Sequence, residues 1–115
     1  MKDFADLCFT GAVLERLKAP LVLTKIRLDR ELDPGHVLVK MRYSGLCRTQ
    51  LAEARGWRGK DKWLPHLLGH EGVGEVLACG NKVTKVLPGQ TVILTWLKAF
   101  GLDPGGFTFE SEKGL

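Results

Sequence analysis

Cysteine is scarce in this 115-residue chain: Cys8, Cys47 and Cys79 are odd in number and far apart, and no Cys-x-x-Cys pair occurs. A disulfide framework is therefore not expected, and each thiol reads by default as a small buried apolar residue. Long apolar runs are also missing. No stretch approaches the roughly 20 residues of a membrane-spanning helix, so no membrane partner is expected. Charges at Lys2, Asp3, Asp6, Glu15 and Arg16 interrupt any apolar region of a secretory signal, which makes the cytoplasm the expected location. No strand is followed by Gly-x-Gly-x-x-Gly and a helix, which excludes a Rossmann dinucleotide-binding unit. Gly69, Gly72 and Gly74 run in the order Gly-x-x-Gly-x-Gly and lead into a strand, so they are no phosphate cradle. Charge of one sign is not in great excess: the net +4 is modest and its basic residues are scattered. The stretch RGWRGKDKW (55–63) mixes cations with tryptophans, a pattern that suits single-stranded nucleic acid but equally a solvated loop with an aromatic anchor. No nucleic-acid partner is expected. Repeats and low-complexity segments are absent as well.

What is present is an ordinary globular composition, 44% hydrophobic and 26% charged, at a length that suits one domain. The pattern is mainly β. LVLTKIRL (21–28) is rich in apolar and β-branched residues. HVLVKMRY (36–43) alternates, placing Val37, Val39, Met41 and Tyr43 on one face and Lys40 and Arg42 on the other, the period of a half-buried strand. GVGEVLAC (72–79) and TVILTW (91–96) read as further strands, with TGAVLE (10–15) a weaker one. Asp-Pro-Gly at 33–35 and Pro-Gly at 88–89 mark turns, because proline presets φ and glycine accepts positive φ. One helix is expected from Arg48 to about Arg55, ended by Gly56. The last stretch, FGLDPGGFTFESEKGL, is expected to be irregular. Short strands punctuated by Pro-Gly turns suggest a small barrel or sandwich.

Two residues carry candidate chemistry. Cys47, in GLCRTQ, would open the helix; His70, in LLGHEGVGEV, sits in a glycine-rich turn before a strand. Thiolate and imidazole are both zinc ligands, and catalytic zinc takes three protein ligands with one position left open. A helix N-terminus also favours a thiolate. Spacing alone leaves two readings standing, a metal pair or a buried thiol with a turn histidine.

The order of the motifs narrows this. YSGLCRTQ, LPHLLGHEGVGEV and VLPGQTVIL closely resemble the N-terminal catalytic domain of the zinc-dependent medium-chain alcohol dehydrogenases, in which Gly-x-Cys, Gly-His-Glu-x-x-Gly and Gly-Asp-x-Val follow one another. The resemblance implies a GroES-like, partly open β-barrel with one short helix and no Rossmann domain, occupying residues 10–97 between an N-terminal extension (1–9) and a tail (98–115). By this resemblance Cys47 and His70 match the first two ligands of the catalytic zinc, and Glu71 an acidic neighbour that approaches the metal as ligands exchange. Thr49 matches the hydroxyl that passes on the substrate's proton. Arg48 matches a cation that contacts the cofactor's pyrophosphate. Trp57 and Trp96 match positions lining the substrate pocket. Zinc would act as a Lewis acid on the alcohol oxygen, and hydride would pass to NAD or NADP.

The departures from the pattern are specific. No third zinc ligand and no four-cysteine structural zinc lobe are found; Gln50 and Gln90 stand where aspartate is common, and Ala52 where some members carry a proton-relaying histidine. The chain thus reads as a truncated member, with an incomplete zinc site, no NAD(P) binding of its own and no catalysis alone. Its expected partner is the missing nucleotide-binding domain or a second copy of the chain. The alternative is a stand-alone GroES-like β module that self-associates or binds a partner, with or without zinc.

Overall fold

A computed structural model describes residues 7–28, 31–97 and 109–112. Contacts group the described residues into two compact units, each built on its own antiparallel sheet.

One unit holds residues 7–28, 46–69 and 109–112. Its sheet has the order β4-β1-β2-β7, with β1 (Cys8–Leu14), β2 (Val22–Arg27), β4 (His66–Leu67) and β7 (Glu110–Ser111). β1 and β2 form a ladder from Cys8↔Arg27 to Val13↔Val22. Period-2 alternation decides what β2 buries: Thr24 and Ile26 are inside, while Leu23, Lys25 and Arg27 face out. With Val13, Leu14 and Leu28 they make the core, and Leu14 is 0% exposed. Leu14 alone hides the whole of a large apolar side chain, roughly 1.5–3 kcal/mol of transfer free energy. The strand expected at 10–15 begins earlier, so Cys8 is an exposed strand residue and not the buried apolar group its type suggested. None of the three cysteines forms a disulfide. β7 corrects the expectation of an irregular tail: Glu110 and Ser111 pair with Arg27 and Ile26, and the Glu110 carboxylate accepts from the Arg27 guanidinium. The rest of that expectation, residues 98–108 and 113–115, lies outside the described residues. The helix α1 (Arg48–Ala54) is where the sequence put it, and Gly56 follows it at φ 70°.

The other unit holds residues 31–45 and 70–97. Here β5 (Gly72–Cys79) is central, between β3 (Val37–Ser44) and β6 (Thr91–Leu94). Val76 and Ala78 of β5 are its buried apolar residues. Both Pro-Gly turns close as expected. The His36 amide donates to the Asp33 carbonyl at 3.0 Å and the Gln90 amide to the Leu87 carbonyl at 3.2 Å. The Gln90 side-chain oxygen in turn accepts the Leu87 amide at 2.9 Å, and the turn is tied to β5 through Val76. The alternation read in β3 does not survive intact. Its register against β5 shifts between Leu38 and Val39, where Leu77 of β5 is the extra residue, and again between Met41 and Tyr43, where Arg42 is, and such bulges disrupt the regular ladder. Met41 and Tyr43 are 45% and 77% exposed instead of half-buried with the valines.

Among the described residues no helix is long and apolar enough to cross a membrane.

Candidate metal centre

Cys47, Arg48, Thr49 and Trp57 belong to the first unit, and His70, Glu71 and Trp96 to the second. Each set is positioned by its own local structure.

Cys47 is the N-cap of α1, extended at φ −122°, ψ 152°. Cysteine is a poor cap, and the work passes to Gln50: its Oε1 accepts the Cys47 amide at 2.6 Å, while the Gln50 amide donates to the Cys47 carbonyl at 3.1 Å. This holds the thiol at the start of the helix, half-buried. The Cys47 thiol lies 3.4 Å from the Thr49 hydroxyl. As a thiol it donates to Oγ1; as a thiolate it would accept from the hydroxyl. Gln50 is buried, and its Nε2 has no hydrogen-bond partner among the described residues. Arg48 is exposed with its guanidinium 5.3 Å from the centroid of the Trp57 ring, a cation–π pair. Trp57 also borders a cavity of about 530 Å³ with Lys18, Ala19, Pro20, Ala54 and Arg55.

In the second unit the His70 imidazole stacks on Trp96, with centroids 5.2 Å apart and planes at 29°. Trp96 itself is 71% exposed. Glu71 is exposed and lies along Gly45, whose amide donates to the Glu71 carbonyl at 3.3 Å. A Cβ on residue 45 would sit 2.7 Å from the Glu71 carboxyl carbon, so the glycine before Leu46 and Cys47 leaves room for the acid that follows His70. Thiol, imidazole and carboxylate are all deprotonatable or lone-pair donors of the kind zinc takes, and the Thr49 hydroxyl suits a thiolate; the residue types fit the metal.

A further group was not anticipated from the sequence. Glu53 of α1, Asp61 and His66 of β4 place ligand atoms within 4.8 Å of one another. His66 Nε2 lies 2.6 Å from Asp61 Oδ2, and His66 Nδ1 3.0 Å from the Leu67 carbonyl. The other Asp61 oxygen accepts the Trp63 amide at 2.9 Å. The hydrogen bond from His66 and that from Trp63 lower the Asp61 pKa. Burial works against the charged form of His66, but hydrogen bonds to Asp61 and the Leu67 carbonyl, with the charges of Asp61 and Glu53, outweigh it and raise its pKa. No spacing in RGKDKWLPH would have signalled this cluster.

Comparison with known proteins adds the following. The family model of the alcohol dehydrogenase GroES-like domain matches residues 33–109. An alcohol dehydrogenase of Rhizobium meliloti is 36% identical over 92 residues, 79% of this chain and 26% of that protein. One from Moraxella sp. is 44% identical over 88 residues, 76% of this chain and 25% of that protein. A crystal structure of an alcohol dehydrogenase zinc-binding domain protein from Burkholderia ambifaria superposes with TM-score 0.65 at 33% identity, over 73% of this chain and 22% of that one. The chain thus spans about a quarter of the length of the curated relatives it matches.

Proposed function

The chain belongs to the alcohol dehydrogenase GroES-like domain family, and from that premise we propose that it is the metal-bearing N-terminal part of a zinc-dependent, NAD- or NADP-linked alcohol dehydrogenase. The observation that carries the reading is the placement of the Gly-x-Cys-x-Thr and Gly-His-Glu segments inside the 33–109 match. Cys47 and His70 would hold zinc, with Glu71 beside them. The metal supplies Lewis acidity toward an alcohol or carbonyl oxygen. Thr49 accepts and passes on the hydroxyl proton, a task for which a hydroxyl close to a sulfur ligand is suitably placed. Arg48 is the cation for a pyrophosphate; its present contact with Trp57 holds the guanidinium at the solvent edge of α1. Trp96, stacked on the ligand His70, and Trp57 line the substrate pocket. Hydride transfer requires the nicotinamide to be positioned to within about an ångström, and these 115 residues carry no dinucleotide-binding fingerprint. The chain alone offers metal only an incomplete and therefore weak site, does not turn over alcohol, and works in the cytoplasm.

Cobalt titration is the test. A thiolate-to-cobalt charge-transfer band should appear, vanish in Cys47→Ser and weaken in His70→Gln; absence of the band in the parent chain would reject the metal assignment. Alcohol oxidation by the zinc-loaded chain with NAD or NADP at an ordinary enzymatic rate would reject the division of labour.

The alternative of a self-associating β module draws on one observation. Tyr43, Val73 and Ile93 stand opposite one another across β3, β5 and β6. Directly opposed residues share a face, so they form an apolar row of which Tyr43 and Ile93 are 77% and 80% exposed. A second copy or the nucleotide-binding part of the full enzyme would cover it. Sedimentation at low concentration separates the two: a dimer favours the module, a monomer the fragment.

A further inference from the structure

We propose that Glu53, Asp61 and His66 form a second cation site, built for zinc or a similar divalent transition metal, that clips the end of α1 and residues 61–66 together. It uses none of the residues assigned above to the dehydrogenase zinc.

The donor set comes first. One imidazole nitrogen and two carboxylates converge within 4.8 Å, a hard-to-borderline O₂N set of the type that suits zinc. Ligand atoms about 2.0–2.2 Å from a tetrahedral zinc are roughly 3.4 Å from each other. Glu53 need only swing inward, and the Asp61–His66 contact at 2.6 Å need only open.

Two groups outside the cluster have already oriented its ligands. His66 Nδ1 faces the Leu67 carbonyl at 3.0 Å, and a carbonyl only accepts, so Nδ1 carries a proton. That fixes the tautomer with Nε2 toward Asp61, the second ring nitrogen being held by an outside acceptor as in metal-ligating histidines. Asp61 is fixed in the same way: the Trp63 amide holds one oxygen at 2.9 Å and leaves the other on His66.

Nε2 therefore also faces an acceptor-only group. Such an arrangement requires a positive species between nitrogen and carboxylate, either a second proton or a metal ion. With the proton, two carboxylates face one imidazolium and the group stays one negative charge in excess. A divalent ion in place of that proton balances the charge, neutral imidazole and two carboxylates with one M²⁺. The side chains of His66 and Asp61 are 24% and 14% exposed, half-buried and open to solvent for entry and for the remaining coordination positions.

Binding by calorimetry with zinc chloride is the test, on the full chain carrying Cys47→Ser and His70→Gln to silence the other donors. About one equivalent should still bind. Adding His66→Gln should weaken binding at least tenfold, and Asp61→Asn, which keeps an acceptor for the Trp63 amide while removing the charge, should do the same. No zinc uptake in the doubly substituted chain, or uptake insensitive to His66→Gln, overturns the proposal. Because substitutions can unfold a small chain, a measurement on the unsubstituted protein stands beside them. Zinc should move the Nε2 ¹⁵N resonance of His66 and remove its dependence on pH between 6 and 8; an Nε2 resonance unmoved by saturating zinc overturns it equally.

Discussion

Gly74→Ala tests how the GVGEV segment is packed. Gly74 is buried in the central strand β5, opposite Met41 of β3 and Val92 of β6. A Cβ there would lie 2.4 Å from Val39 Cγ1 and 2.6 Å from the Lys40 carbonyl oxygen. An ordinary carbon–oxygen contact is about 3.3 Å or more, so the strands must part by roughly 0.7 Å at this point. Val39 can turn only within the few rotamers a β-branched side chain allows. The Lys40 carbonyl cannot turn at all, because Lys40 is registered against Glu75 in the same ladder. Overpacking of this kind costs about 1–3 kcal/mol. The backbone contact places the expectation near 2 kcal/mol, or about 30-fold in an equilibrium constant. Amide hydrogen exchange reads local opening directly: the Glu75 and Val76 amides should exchange about 30 times faster in the variant. Val39→Ala on top of Gly74→Ala should recover only part of the loss, since the carbonyl contact remains. Exchange accelerated less than threefold, or complete rescue by Val39→Ala, would refute the reasoning.

Other outcomes follow from the first unit. Leu14→Ala empties a fully buried position and should destabilise by about 2–5 kcal/mol in urea unfolding; a loss below 1 kcal/mol would mean the site collapses around the gap. Gln50→Ala removes the acceptor of the Cys47 amide, and that amide should exchange faster in the variant; an unchanged rate would mean the side chain does not cap the helix. In chelator-treated protein the His66 ring should titrate above the usual histidine value, and Asp61→Asn should bring it down. The sign follows from the raised pKa: the protonated pair adds stability below about pH 6.5, and that stability is lost as pH rises through the folded-state value. Asp61 contributes above about pH 3.9, and its share is lost as pH falls through its lowered value. A proton NMR titration with no upward displacement of His66 would contradict the arrangement.

The elements legible in the sequence were those with a period or a turn of their own. GVGEVLAC became β5 residue for residue, and α1 and the two Pro-Gly turns fell where their chemistry put them. The two-residue strands β4 and β7 carry no period; His66–Leu67 and Glu110–Ser111 are strands only because Val13, Leu14, Ile26 and Arg27 offer them partners. The register shifts between β3 and β5 were equally silent, since a register shift depends on the partner strand and not on alternation. Cys47 and His70 stood out through the motifs around them. The cluster of Glu53, Asp61 and His66 did not, because a helix, a loop and a minimal strand supply one residue each.

Gln50 and Gln90, at the two positions where the motifs this sequence resembles commonly carry aspartate, have different consequences. Gln90 acts on its own turn: its Oε1 accepts the Leu87 amide, a task any side-chain acceptor of suitable reach performs, so the turn is kept and nothing is left over. Gln50 likewise keeps a local task, accepting the Cys47 amide, but it is buried and brings an Nε2 donor with no partner among the described residues. An aspartate there would present a second acceptor and a negative charge next to Cys47; the amide presents a donor and no charge. An unpaired buried donor costs about 1–3 kcal/mol, so the substitution is not neutral in the way the one at 90 is. It weakens the negative field that would raise the basicity of neighbouring ligands, and a zinc held by Cys47 would be correspondingly more electrophilic. Of all the departures from the family pattern within these residues, position 50 is therefore where a change in metal chemistry is to be sought.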